Sequence, residues 1–107
     1  MNGEQLWFLI NQTLGNNQME IKTVPSNSRE PLWFIAYIEN GDLYVDNSIN
    51  HVPSTKMSGR RKISMNDFIT VFQYYHRWAN GQTHLRQEVR TISRNTAYIF
   101  GLIAKFI

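Results

Sequence analysis

The chain has 107 residues, of which 42% are apolar and 18% are charged, and it contains no cysteine. This apolar content excludes the disordered class of chains, which lack enough apolar surface to offset the loss of backbone entropy. The length fits one domain over residues 1–107. The absence of cysteine excludes disulfides, thiolate metal centres and thiol catalysis, so we expect a cytoplasmic protein.

The charges are distributed unevenly along the chain. Residues 1–55 contain two basic and six acidic residues, a net charge of −4. Residues 56–107 contain nine basic and two acidic residues, a net charge of +7, so the two halves together give the +3 of the whole chain. This asymmetry indicates a polyanionic partner or attraction between the halves, and two solvated faces of one globule are the plainer alternative.

A capped helix opens the sequence. Asn2 is followed three residues later by Gln5, the spacing at which each side chain can hydrogen-bond to the backbone N–H of the other residue. Apolar residues then recur at helical intervals until Gly15, which is typical of a helix end. The pattern predicts a helix over residues 3–14.

Three further segments are predicted from whether apolar and polar side chains alternate along them. Residues 19–24 alternate between apolar and polar side chains, which predicts a half-buried strand. Residues 25–31 are polar and bounded by prolines, which predicts a loop. Residues 51–62 show no period and contain Pro53 and Gly59, so we expect a loop or an edge segment there.

The strongest local pattern is a β-hairpin. Two β-prone runs, residues 32–39 and 42–46, are joined by Asn40 and Gly41, which tolerate the two positive φ angles of a type I′ turn. A two-residue turn also fixes the register. The predicted pairs are Ile38 with Leu43, Ala36 with Val45, and Tyr37 with Tyr44.

A second helix is predicted in the basic half of the chain. Ser64 is a good N-cap, and Asp67 follows at the third helical position, where its carboxylate meets free backbone amides and the positive end of the helix dipole. A stripe of apolar and aromatic residues then continues to Ala79. Gly81 supplies the end of this helix.

The last segments are predicted to be helical as well. Apolar residues at 85, 89 and 92 predict a short helix, and Ser93 can cap a last helix that runs through Phe106. This last helix has almost no polar face, and a domain this small should not enclose it alone, so we expect a homo-oligomer. The residues predicted for the oligomer interface are Ile99, Leu102, Ile103 and Phe106.

Strands and helices therefore cluster in the sequence instead of alternating. This order predicts an α+β fold with a small antiparallel sheet of about three strands, centred on the β-hairpin. The N-terminal helix and two or three C-terminal helices are expected to pack on that sheet. The start has no basic segment leading into an apolar run, and residues 97–107 are too short to cross a bilayer, so neither secretion nor a membrane partner is expected.

Four cations surround a glycine immediately before the second helix. Arginine offers forked donors that match phosphate oxygens, and a helix N-terminus adds free amides and partial positive charge. We therefore predict contact with phosphate or a nucleic-acid backbone, and an ordinary solvated loop is the alternative. The cations are Lys56, Arg60, Arg61 and Lys62.

The segment 85–100 resembles the second half of a helix-turn-helix, because Ile-Ser-Arg-x-Thr at 92–96 is similar to the opening of a recognition helix. The alternative is a structural helix, since Gln87 and Thr91 stand where the family has a small residue and a glycine. By this resemblance, the residues that face DNA are Arg94, Asn95 and Tyr98.

A broader resemblance covers residues 32–103. Five short motifs carry it: Gly41-Asp-Leu-Tyr-Val, His51-Val-Pro-Ser, Arg61-Lys-Ile, Phe72-Gln-Tyr-Tyr with Trp78 and Gly81, and Ser93-Arg-Asn-Thr-Ala-Tyr. Together they resemble small bacterial proteins without an assigned activity, including ones carried on mobile DNA as integron gene cassettes. The resemblance implies a bacterial, cytoplasmic, stand-alone domain and implies nothing about mechanism.

Catalytic and metal-binding patterns are weak. His51, His76 and His84 do not have the spacing of metal ligands, so we expect no metal, and we expect no cofactor. An enzyme remains an open alternative, because a deep pocket that joins His51 or Glu20 to other polar groups would form a noncontiguous site.

The leading prediction is a module that binds nucleic acid or another phosphate-bearing polyanion through the basic half of the chain. A homo-oligomeric interaction module that uses the apolar C-terminal helix is the alternative. The residues predicted to bind the polyanion are Lys56, Arg60, Arg61, Lys62, Arg90 and Arg94.

Overall fold

The computed structural model describes residues 1–25 and 29–107, so the middle of the predicted 25–31 loop lies outside the described residues. Four strands form one antiparallel sheet in the order β1-β2-β3-β4, and four helices accompany it, which confirms the predicted α+β class. In chain order the elements are α1 (Gly3–Leu14), β1 (Met19–Lys22), β2 (Trp33–Glu39), β3 (Asp42–Asn47), β4 (Arg61–Ile63), α2 (Met65–Ala79), α3 (His84–Arg90) and α4 (Thr96–Phe106).

Helix α1 begins at the predicted cap. The Asn2 side chain accepts a hydrogen bond from the Gln5 backbone N–H at 2.8 Å, and the Gln5 side chain accepts one from the Asn2 backbone N–H at 2.9 Å. Its buried face, Leu6, Ile10 and Leu14, joins the core and packs over β2. The capped start and the end at residue 14 are therefore confirmed.

The hairpin has the predicted turn and register. Asn40 has φ 52° and Gly41 has φ 82°, the left-handed conformations that a type I′ turn requires. Ile38 lies opposite Leu43, Ala36 opposite Val45, and Tyr37 opposite Tyr44. Because side chains alternate along a strand, the first two pairs face the helices and the tyrosine pair faces the opposite side, called here the outer face of the sheet.

Residues 61–63 form a fourth strand beside β3, where the sequence predicts only a loop or an edge segment. Ile63 pairs with Leu43 and is buried in the core, which fixes this short edge strand to the sheet. Arg61 pairs with Val45 and shares the helix side of the sheet with Ile63. Lys62 lies between them and therefore belongs to the outer face.

The helices of the basic half follow the predicted pattern with one shift. The Ser64 hydroxyl accepts a hydrogen bond from the Asp67 backbone N–H at 3.1 Å, so the predicted cap of α2 is confirmed. Ser93 is not the N-cap of α4, because its hydroxyl accepts from the Asn95 backbone N–H within the turn that precedes the helix. Helix α4 begins at Thr96, two residues later than a cap at Ser93 predicts.

Helix α4 is enclosed by its own chain, so the prediction that so small a domain cannot cover it is wrong. Ile99, Leu102 and Ile103 are all 0% exposed, which makes them core residues instead of interface residues, and Phe106 is half-buried against the same core. The close packing depends on Gly101, since a Cβ there would lie 2.8 Å from the Lys22 carbonyl oxygen. The homo-oligomer itself stays a prediction, but the burial of α4 no longer supports it.

Across residues 1–25 and 29–107, no helix combines the length and the apolar content that crossing a bilayer requires.

Candidate anion-binding cleft

A cleft of about 580 Å³ lies between the residues that flank β1 and β2 on one side and helices α3 and α4 on the other. We call it the basic cleft, because the described residues of its lining include five cationic side chains and one carboxylate, that of Glu30. The cations come from four separate parts of the chain. They are Arg29, Lys56, Arg86, Arg90 and Arg94.

Helix α3 positions two of these cations. Leu85 is 3% exposed and Val89 is 0% exposed, so this pair anchors one face of the short helix in the core. Arg86 and Arg90 follow each anchor by one residue and are therefore four residues apart, on a shared stripe of the helix. The burial of the two aliphatic residues directs both arginines into the cleft.

Several contacts constrain the Arg86 side chain. Its guanidinium lies 4.9 Å from the ring centroid of Trp78 and 4.7 Å from that of Phe100, and it donates a hydrogen bond to the Val24 carbonyl. Burial lowers the pKa of Arg86, and the positive charge of Arg90 lowers it further. Arg86 is therefore held rigidly beside a second positive charge.

Four of the cleft cations have no carboxylate partner among the described residues. Within residues 1–25 and 29–107, no carboxylate oxygen lies within 4.0 Å of a side-chain nitrogen of Lys56, Arg86, Arg90 or Arg94. Arg90, Arg94 and Lys56 are also exposed to solvent. Their positive charge is thus available to a ligand.

Arg60 and Lys62, which the sequence assigns to the same site, lie elsewhere. Arg60 sits 4.0 Å from the ring centroid of Tyr44 on the outer face. Its hydrogen bonds to the Tyr37 hydroxyl and the Glu39 carboxylate raise the pKa of Arg60. Lys62 Nζ lies 3.4 Å from a carboxylate oxygen of Asp42, so both cations are paired with carboxylates of the acidic half.

Arg61 lies beside the cleft without lining it. It donates a hydrogen bond of 3.1 Å to the Arg94 carbonyl, and its guanidinium is 5.4 Å from the ring centroid of Tyr98. Of the six predicted binding residues, the structure brings Lys56, Arg90 and Arg94 together in the cleft and places Arg61 next to them. The strand β4 separates the others, because consecutive residues of a strand point to opposite faces.

The structure does not present the DNA-facing surface that the helix-turn-helix resemblance implies. Asn95 is only 7% exposed and donates a hydrogen bond of 3.1 Å to the Asp67 carboxylate, so it cannot reach a base edge. The helix that would enter the groove is the enclosed helix α4. Of the other two residues named by this resemblance, Arg94 is exposed and Tyr98 is half-buried, and both line the basic cleft.

Two cleft residues are absent from the sequence-based prediction. Arg86 had an available signal, since it stands four residues before Arg90 on a predicted helix and such a spacing puts both on one stripe. Arg29 had none, because it lies in the polar 25–31 segment, where no periodicity indicates direction.

The enzyme alternative requires a deep pocket that joins His51 or Glu20 to other polar groups; these two residues contact each other and do not line the basic cleft. His51 Nδ1 lies 3.4 Å from a Glu20 carboxylate oxygen, and the Ser48 hydroxyl donates to the same oxygen at 3.1 Å. The His51 ring also stacks on Trp33 with centroids 4.1 Å apart. These contacts anchor the segment after β3 to the outer face.

In the described part of the chain, no group of three or more His, Asp or Glu side chains is arranged to hold a metal ion.

The basic cleft is therefore the site whose geometry carries a functional argument. The resemblance to integron cassette proteins stays a prediction. Comparisons with protein-family models, with curated proteins and with solved structures found no match to this chain.

Proposed function

We propose that this protein binds a phosphate-bearing ligand in the basic cleft. The observation that carries the proposal is the ratio of five cationic side chains to one carboxylate in a single concave site. Clefts lined by charges of one sign concentrate the electrostatic field and raise the local concentration of oppositely charged ligands. An anion is the ligand that such a site favours.

The arginines support phosphate as the anionic group. A guanidinium presents a planar fork of N–H donors that can bind two phosphate oxygens at once. Arg86, Arg90 and Arg94 supply three such forks from α3 and the turn that follows it. Charge-assisted hydrogen bonds of this kind are stronger than those between neutral groups.

The fixed position of Arg86 adds to this argument. Ring contacts on Trp78 and Phe100 and the hydrogen bond to the Val24 carbonyl already restrict its side chain. A ligand therefore immobilises fewer rotatable bonds when it binds. The ligand also relieves the repulsion between Arg86 and Arg90, since its negative charge lies between two positive ones.

Nucleic acid is included in this proposal only through the phosphates that enter the cleft. A backbone spread across the whole basic half would also contact Arg60 and Lys62. Both are paired with carboxylates, and both belong to the outer face of the sheet. We therefore restrict the proposed binding residues to those of the cleft.

The test compares inorganic phosphate with chloride at equal ionic strength and follows thermal unfolding of the protein. At a phosphate concentration about ten times the Kd, binding stabilises the fold by about 1.4 kcal/mol, a rise in Tm of about 5 °C for a domain of this size. The double variant R90Q/R94Q should lose this rise.

The matched control is R60Q/K62Q, which removes the same number of positive charges from the outer face. It should keep the phosphate-dependent rise in Tm. If both variants lost the phosphate-dependent rise in Tm equally, net charge alone would explain the effect. If phosphate did not raise the Tm of the unmodified protein, the proposed function would be overturned.

A further inference from the structure

We infer that the ligand of the basic cleft is a small molecule with a chain of two or three linked phosphates, an inference that rests on the proposed function. A single phosphate group and a polynucleotide are the two alternatives that the geometry disfavours. Three features separate these ligands: the charge of the lining, the positions of its cations, and the contacts that the Tyr98 ring already makes.

The charge of the cleft exceeds what one phosphate neutralises. Five cations and one carboxylate give the lining a net charge of +4. A phosphate monoester carries about −1.5 to −2 near neutral pH. Two or three linked phosphates match this net charge, whereas a single phosphate group leaves a net charge of at least +2 in the lining.

The cations also come from several positions around the cleft. Arg86 and Arg90 are four residues apart on α3, about 6 Å along the helix axis. Arg94 lies in the turn after α3, and Lys56 follows Thr55, whose backbone N–H donates to the Trp33 carbonyl at the start of β2. Donors at several positions of the lining suit several linked phosphates, each with its own oxygens. The cleft volume of about 580 Å³ also falls in the range of sites for small molecules.

A polynucleotide needs features that lie outside this cleft. Single-stranded nucleic acid is held by a basic groove together with aromatic faces on which bases stack. Among the lining residues that the structure describes, the aromatic side chain is Tyr98. Its ring packs edge-on against Phe34, with centroids 5.4 Å apart, and lies under the Arg61 guanidinium. These two contacts occupy the ring, so a base has no free Tyr98 face on which to stack.

The experiment measures binding of orthophosphate, pyrophosphate and tripolyphosphate by calorimetry at constant ionic strength. A single-stranded oligonucleotide of about ten nucleotides without terminal phosphates is the fourth probe. Each added phosphate gains charge-assisted hydrogen bonds, so affinity should rise about tenfold per step. The oligonucleotide should bind more weakly than tripolyphosphate.

Two variants sharpen the result. R90Q/R94Q should flatten the dependence on chain length, whereas R60Q/K62Q should retain it. In E30Q the cleft loses its one carboxylate, so tripolyphosphate should gain more affinity than orthophosphate, because the removed charge repels each phosphate of the chain.

The outcomes separate this inference from the proposed function. Equal affinity for orthophosphate and tripolyphosphate would overturn the inference of linked phosphates and leave the proposed function standing. Tighter binding of the oligonucleotide would overturn it in favour of nucleic acid. If none of the four probes binds, the proposed function fails and the inference fails with it.

Discussion

Arg60 and Arg90 are both exposed arginines of the basic half of the chain, and their surroundings differ. Arg60 lies over the Tyr44 ring on the outer face of the sheet and forms an ion pair with Glu39. Arg90 lines a concave site beside Arg86 and has no carboxylate of the described residues within 4.0 Å. The same residue type is therefore neutralised in one region and left available in the other.

The difference shows that position in the sequence does not decide which charges serve binding. Attraction between the acidic and basic halves is satisfied on the outer face, where Glu39 and Asp42 meet Arg60 and Lys62. Among the described residues, Lys56, Arg86, Arg90 and Arg94 line the cleft without a carboxylate partner. A functional role follows from the cations that folding leaves without partners, since these are the ones whose charge a ligand can neutralise.

The largest expected effect belongs to R86A. The substitution removes the packing on Trp78 and Phe100 and the hydrogen bond to the Val24 carbonyl, so it should lower the free energy of unfolding by about 2 kcal/mol. It should also weaken phosphate binding. Urea unfolding measures the first effect. R60A on the outer face is the control and should cost less, because Arg60 is exposed; an equal or greater cost would contradict the distinction between the two regions.

A smaller effect of opposite sign is expected for R90Q without ligand. Like charges four residues apart on a helix destabilise it, so removing Arg90 should raise the free energy of unfolding by about 0.3 kcal/mol at low ionic strength. The gain should vanish at high salt, where the repulsion is screened. Urea unfolding at both ionic strengths measures it.

R60Q is the matched substitution on the outer face. It breaks an ion pair instead of relieving repulsion, so it should not stabilise the protein. A loss of stability in R90Q at low salt, or a gain that persists at high salt, would mean that repulsion in the cleft is not the cause.

The fold was predictable where local chemistry decides it. The Asn40-Gly41 turn fixed the register of β2 and β3, and the Asn2 and Ser64 caps fixed the starts of α1 and α2. The enclosure of α4 was not predictable from its composition. It depends on Gly101, whose missing side chain lets the helix approach the β1 backbone, a contact between distant parts of the chain.

The site was predictable only in part. Periodicity identifies helix α3, and with it the shared stripe of Arg86 and Arg90. The basic run that ends at Lys62 looks like one surface in the sequence, but β4 divides it between two faces of the sheet. The contribution of Arg29 depends on how a loop approaches the cleft, which no local pattern encodes.

The smallest expected effect comes from E39Q/D42N, which asks whether free positive charge alone creates a binding site. The double variant leaves Arg60 and Lys62 without their carboxylate partners and gives the outer face two unpaired cations. The variant frees two cations on the outer face, whereas the described lining of the cleft contains five. Exposed charges attract anions weakly and are screened by salt. Calorimetry should therefore detect at most weak phosphate binding at low salt, without the dependence on phosphate chain length expected of the cleft. If this variant gained a second site as tight as the cleft, unpaired charge would be sufficient, and the concave arrangement around Arg86 would have no part in recognition.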